Sequence, residues 1–137
     1  MRDDADQIWN RSLDLDFEPT LEGDGALKAV LGFHSLAMNG GLGNSLEVDY
    51  AQARQAADGF RSFGAIELGL LVDEACDVVD RLARSGEFDI VDLTDEEAAR
   101  LEALEERYGE LVPSDTRLEE IFHGYLDRHP EKFEPTS

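Results

Sequence analysis

Between Asp24 and Asn39 the chain carries a single charge past its first residue, Lys28, although the protein has a formal net charge of -20 over 137 residues. Leu27, Val30, Leu31, His34, Ser35 and Met38 fall on one side at helical spacing, and Ala26, Ala29, Phe33 and Ala37 keep the other side apolar. A helix that is apolar all round has to be covered all round. This stretch is therefore expected to be the central helix, with the rest of the chain folded about it. Asn39-Gly40-Gly41 ends it, because Gly reaches the left-handed conformation at a helix C-terminus without steric cost.

The remaining segments also read as helices, and no alternating run of β-branched residues marks a strand. A polar helix is expected from Asp3 to about Ser12, with Ile8, Trp9 and Leu13 to dock it and little else to hold it. Asn44-Ser45-Leu46-Glu47 and Asp49-Tyr50-Ala51-Gln52 each place a capping side chain three residues before Glu or Gln. The second starts a helix to about Phe63 that turns Ala53, Ala56, Phe60 and Phe63 inward before Gly64 breaks it. From Ala65 to Arg84 the expected inner stripe is Ile66, Leu70, Leu71, Ala75, Val78, Val79 and Leu82. Ser85-Gly86-Glu87 is a loop that Phe88, Ile90, Val91 and Leu93 pack down. Thr94 and Glu97 form a capping box for a helix ending near Gly109. Beyond Pro113, a last helix from Asp115 to Arg128 buries Leu118, Ile121, Phe122, Tyr125 and Leu126. The expectation is an all-α protein with one compact domain of about six helices. Residues 1–20 form an N-terminal polar helix and linker, and residues 21–133 form the helical domain.

Composition narrows the function classes. With 42% hydrophobic residues the chain can bury a core, as domains near this length do. Its 32 Asp and Glu against 12 Lys and Arg leave no basic footprint for phosphates, so direct nucleic-acid and anionic-membrane binding are disfavoured and a basic partner is favoured. The opening Met1-Arg2-Asp3-Asp4-Ala5-Asp6 has no apolar segment behind it, and no uninterrupted apolar run approaches the ~20 residues a bilayer requires. A cytoplasmic location follows as the expectation. The lone Cys76 has no disulfide or metal partner at a suitable spacing and reads as a small buried helix residue.

Catalytic and metal chemistry find little to work with. His34 sits in the apolar helix with no acid nearby in sequence and reads as a hydrogen-bonded core histidine. His123 and His129 are six residues apart, which misses the i, i+4 spacing of a zinc helix. Asp89, Asp92 and Asp95 lack the alternation, central Gly and closing Glu of a calcium loop. Glu22-Gly23-Asp24-Gly25 lacks the strand and Lys of a phosphate loop. No cofactor, metal or catalytic set is expected, and an enzyme is the least favoured reading.

The carboxylates are arranged more suggestively. Asp73, Asp77 and Asp80 leave one side of a helix about 6 Å and then about 4.5 Å apart along its axis, at a rise of ~1.5 Å per residue. Glu102, Glu106 and Glu110, with Glu105 beside them, repeat the device on the next helix. DNA phosphates recur about every 3.4 Å along each strand, and proteins meet them with Lys and Arg. Counter-charge is missing locally: residues 67–97 hold eleven acids and, as bases, only Arg81 and Arg84. A single-sign field of this kind suits a basic partner.

Met38-Asn39-Gly40-Gly41-Leu42, at the end of an apolar helix, resembles the Asn-Gly-Gly signature of the DNA-mimic protein family, small acidic bacterial domains of which many have no established function. Phe63-Gly64-Ala65, Tyr108 in the penultimate helix, and Tyr125-Leu126 followed by His129-Pro130-Glu131-Lys132-Phe133 resemble later features of the family in order. The family continues after Gly-Gly with an aromatic, a Gln and an aromatic pair, where this chain has Leu42, Gly43, Asn44, Ser45 and Leu46. The resemblance implies an all-helical acidic domain, often dimeric, whose described representative occupies the DNA-binding surface of a transcriptional regulator. The expectation is an acidic interaction protein that neutralises a DNA-binding protein through Asp73, Asp77, Asp80, Glu102, Glu105, Glu106 and Glu110. Asn39, Gly40 and Gly41 form the family motif. The alternative is an immunity or antitoxin-like protein against a basic toxin, which would use the same electrostatics.

Overall fold

In the computed structural model, which describes residues 3–136, the apolar stretch forms α2, Glu22–Met38. Around it stand α1 (Asp3–Ser12), α3 (Gly41–Val48), α4 (Tyr50–Ser62), α5 (Ile66–Ser85), α6 (Asp95–Leu111) and α7 (Asp115–Arg128), with 3-10 turns at Ile90–Asp92 and Pro130–Lys132. The described residues contain no strand, so the all-α class holds. There are seven α-helices among them rather than about six. None is long and apolar enough to cross a membrane.

Helix α2 packs chiefly on α4 and α3, with α1 and the C-terminal 3-10 turn also against it. Leu27, Val30, Leu31 and Phe33 are buried, as are Ala29 and Ala37 on the other side. Only the C-terminal end of its expected inner side departs from the reading, since Ser35 and Met38 are exposed. Close approach of α2 and α4 depends on Gly59, where a Cβ would lie 2.9 Å from the Ala26 carbonyl oxygen. Helix α4 lies in turn on α5, and α5 on α6. Because α5 is covered from two sides, its buried stripe shifts to include Leu68, Val72 and Cys76, while Ile66 and Leu70 face solvent. That corrects the expected stripe. Val91 is likewise exposed, and Phe88, Ile90 and Leu93 alone pack the loop onto the core.

Local signals start most of the helices where expected. Thr94 and Glu97 form the complete capping box of α6, and Asp49 accepts from the Gln52 N–H at 3.0 Å to open α4. Helix α1 corrects the expectation of a loosely held element. Ala5 and Ile8 enter the core and Trp9 packs on Phe122, whereas Leu13 stays exposed. Arg11 donates to the fully buried Asp24 at 2.7 Å and to the Glu134 carbonyl at 3.1 Å, and Asp24 also accepts from the Glu134 N–H at 2.7 Å. One carboxylate thereby ties α1, α2 and the C-terminal tail together.

Candidate acidic interface

The two carboxylate rows occupy different sides of α5. Asp73 and Asp80 are turned toward α4, which supplies the cations that the local sequence lacks. Arg54 donates to Asp77 at 2.9 Å and to Asp73 at 3.4 Å, lies 3.9 Å from Asp80, and donates from Nε to the Tyr50 hydroxyl. Tyr50 donates in turn to Asp80 at 3.1 Å. Arg61 bridges Asp58 and Asp73, and Arg84 reaches Asp80 at 2.6 Å. The expectation that this row lacks counter-charge is thus corrected. Arg61 and Arg54, twelve to twenty-three residues before Asp73 and Asp77, are invisible to a local charge count, yet helix packing brings them within hydrogen-bond reach. Beneath the row, burial pushes the Cys76 thiol up to about 12, so it remains protonated.

On its other side α5 meets α6 through Arg81 to Glu97 at 2.8 Å, Glu74 to Arg100 at 3.6 Å and Glu67 to Arg107 at 2.5 Å. Arg81, reinforced by the Thr94 backbone N–H, holds the Glu97 carboxyl down to about 2. These pairs leave Glu102, Glu106 and Glu110 on the exposed face of α6. Glu110 has Arg107 at 3.5 Å, whereas Glu102 and Glu106 have no ion-pair partner among the described residues. The preceding loop adds Glu87 and Asp92, and the first turn of α6 adds Asp95 and Glu96, also without ion pairs among the described residues. Asp92 and Asp95, which miss the calcium-loop pattern, belong to the acidic stretch of residues 67–97 whose charge suits a basic partner. Among the described residues no group of three or more His, Cys, Asp or Glu side chains could hold a metal.

Glu105 departs from its neighbours. Its Oε1 accepts from the Leu42 N–H at 2.8 Å and so caps the N-terminus of α3, where a carboxylate also meets the positive end of the helix. This tertiary cap starts α3 at Gly41, not at Asn44 as the local pattern suggests. Asn44 instead donates its side chain to the Leu36 carbonyl at 2.9 Å. Gly41 has φ +85°, and a Cβ there would overlap Glu105 Oε1. Gly41→Ala is therefore expected to cost about 1.5–4 kcal/mol, combining roughly 1–2 for the left-handed backbone with roughly 0.5–2 for the lost cap. A denaturant titration measures it, and a loss below ~0.5 kcal/mol would contradict the cap.

A groove of about 250 Å³ opens beside this turn, lined by Gly40, Gly43, Ile90, Leu93 and Leu101 together with Glu102 and Glu105. The structure thus brings the Asn39-Gly40-Gly41 turn next to the α6 carboxylates and leaves Asp73, Asp77 and Asp80 apart from them. Meanwhile Arg11, Arg54, Arg61, Arg81, Arg84, Arg100, Arg107, Arg117 and Lys132 each form an ion pair with a carboxylate of the chain itself.

His34 is buried, as expected for a core histidine, with Tyr108 Oη 2.8 Å from Nδ1. It also has an acid that sequence proximity could not reveal, since Asp115 Oδ1 lies 2.9 Å from Nε2. His123 and His129 do not join it; His129 instead lies 3.8 Å from Glu131. Searches against protein-family models, curated proteins and solved structures find no match to this chain.

Proposed function

We propose that the protein is a cytoplasmic acidic interaction protein, resembling the DNA mimics, that binds and neutralises a basic DNA-binding protein. The observation that carries this reading is the separation of charge. Most cations are committed to internal pairs, while Glu102, Glu106, Asp92, Asp95 and Glu96 remain uncompensated beside an apolar groove. Such a surface attracts Lys and Arg over distance and offers a buried aliphatic contact on arrival. Glu110 and the exposed Asp77 extend the field, and Asp73 and Asp80 act mainly in joining α4 to α5.

Capture of the partner from a host lysate at low salt, followed by a high-salt wash, tests the reading. Screening shortens to about 8 Å near physiological ionic strength, so the complex is expected to release steeply as salt rises. Changing Glu102, Glu106 and Glu110 together to Gln is expected to weaken binding about tenfold, at roughly 0.5 kcal/mol for each exposed pair. The Asp73, Asp77 and Asp80 to Asn variant is expected to lose less affinity and, with Arg54 left without a carboxylate and Arg61 with Asp58 alone, to lose about 1 kcal/mol of stability. Duplex DNA should displace the protein from a DNA-binding partner. Unchanged binding by both triple variants at every salt concentration would refute the proposal, and a captured basic toxin would transfer it to immunity.

A further inference from the structure

A second groove, of about 280 Å³, lies among α1, α2 and the first turn of α7 on the other side of the Asn39-Gly40-Gly41 turn. Trp9, Leu13, Leu31 and Met38 supply its apolar lining, with Leu13 and Met38 more than half exposed among the described residues. Asp115 is the one acid in the lining, and neither Lys nor Arg lines the groove. Asp115 is held from behind. With its proton on Nε2, His34 donates to Asp115 Oδ1 and accepts the Tyr108 hydroxyl on Nδ1, which satisfies a neutral imidazole completely. Tyr108 serves as that donor as any phenol does at neutral pH, and its burial raises it further above the ordinary value. The ring is 93% buried and Asp115 is 73% exposed, so a fixed carboxylate faces solvent at the end of an apolar trough.

We propose that this groove binds an alkylguanidinium or alkylammonium group, with the charged head on Asp115 and the methylene stem along Trp9, Leu31 and Met38. Asp115 accepts charge-assisted hydrogen bonds, the indole attracts a cation, and the Met38 thioether adapts to the stem. A neutral apolar ligand would strip water from Asp115 without replacing it, and an anion would meet both Asp115 and the field of a -20 chain. The volume suits one side-chain-sized group, being at the small end of ligand sites, which run from roughly 300 Å³ upward.

Trp9 is the sole tryptophan, so its emission reports directly on the groove. Titration with n-butylguanidinium is expected to give a saturable change. Asp115→Asn, which still accepts from His34, should weaken it about tenfold or more. Met38→Ser, at an exposed position, should weaken it about threefold. n-Butanol carries the same stem without charge and should not saturate the signal over the same range. A free cation and a polypeptide side chain separate in one further titration. Saturation by N-acetylarginine methylamide as well as by n-butylguanidinium assigns the site to a side chain, and saturation by n-butylguanidinium alone assigns it to a free cation. The Glu102, Glu106 and Glu110 to Gln variant should keep its response within about twofold, which separates this site from the partner face. Absence of saturation by either cation, an equal response to n-butanol, or an unaltered response in both Asp115→Asn and Met38→Ser would overturn the proposal.

Discussion

Arg11→Met is expected to lower the unfolding free energy by about 3–5 kcal/mol, the cost of leaving a buried charge without its partner. Asp24 is fully buried, and Arg11 is its cationic partner at 2.7 Å. Without Arg11 the carboxylate keeps the Glu134 N–H, a single neutral donor that cannot balance the charge. Arg11 also stacks 5.1 Å from the Phe17 ring, so Met retains some packing while the charge disappears. The double variant Arg11→Met with Asp24→Leu should recover much of the loss, because a buried ion pair exchanged for apolar groups of similar volume is often close to neutral. Chemical denaturation of the parent and both variants measures this. A single-variant loss below ~1 kcal/mol would mean that water reaches Asp24 and that α1 is not fixed through it.

Phe33→Ala is expected to cost about 3–5 kcal/mol. Phe33 is 1% exposed and stands edge-on to Phe60 at 6.5 Å and to Tyr108 at 5.8 Å, joining α2 to α4 and α6. Its removal leaves a cavity bounded by two large rings that cannot collapse without moving whole helices. The exposed Met38 on the same helix gives the contrast, since Met38→Ala should change stability by less than ~0.5 kcal/mol. Equal effects at the two positions in a denaturant titration would remove α2 from the centre of the fold.

Sequence alone determined what depends on neighbours three or four residues away. Thr94 with Glu97 and Asp49 with Gln52 cap their helices through backbone groups one turn on, and the apolar period of α2 dictates its burial whatever surrounds it. The exposed row Glu102, Glu106 and Glu110 follows from the same periodicity on α6. Tertiary structure alone decided which carboxylates are free. Asp73, Asp77 and Asp80 look as bare in sequence as the α6 row, yet Arg54 and Arg61 meet them once α4 lies against α5. In the same way Glu105 caps a helix 63 residues earlier, and Asp115 reaches His34 across 81. Helix propensity and capping act within one turn, whereas ion pairing and burial depend on which helix faces come together. Those faces are chosen by the packing of the whole core, and no local pattern of charges encodes that choice.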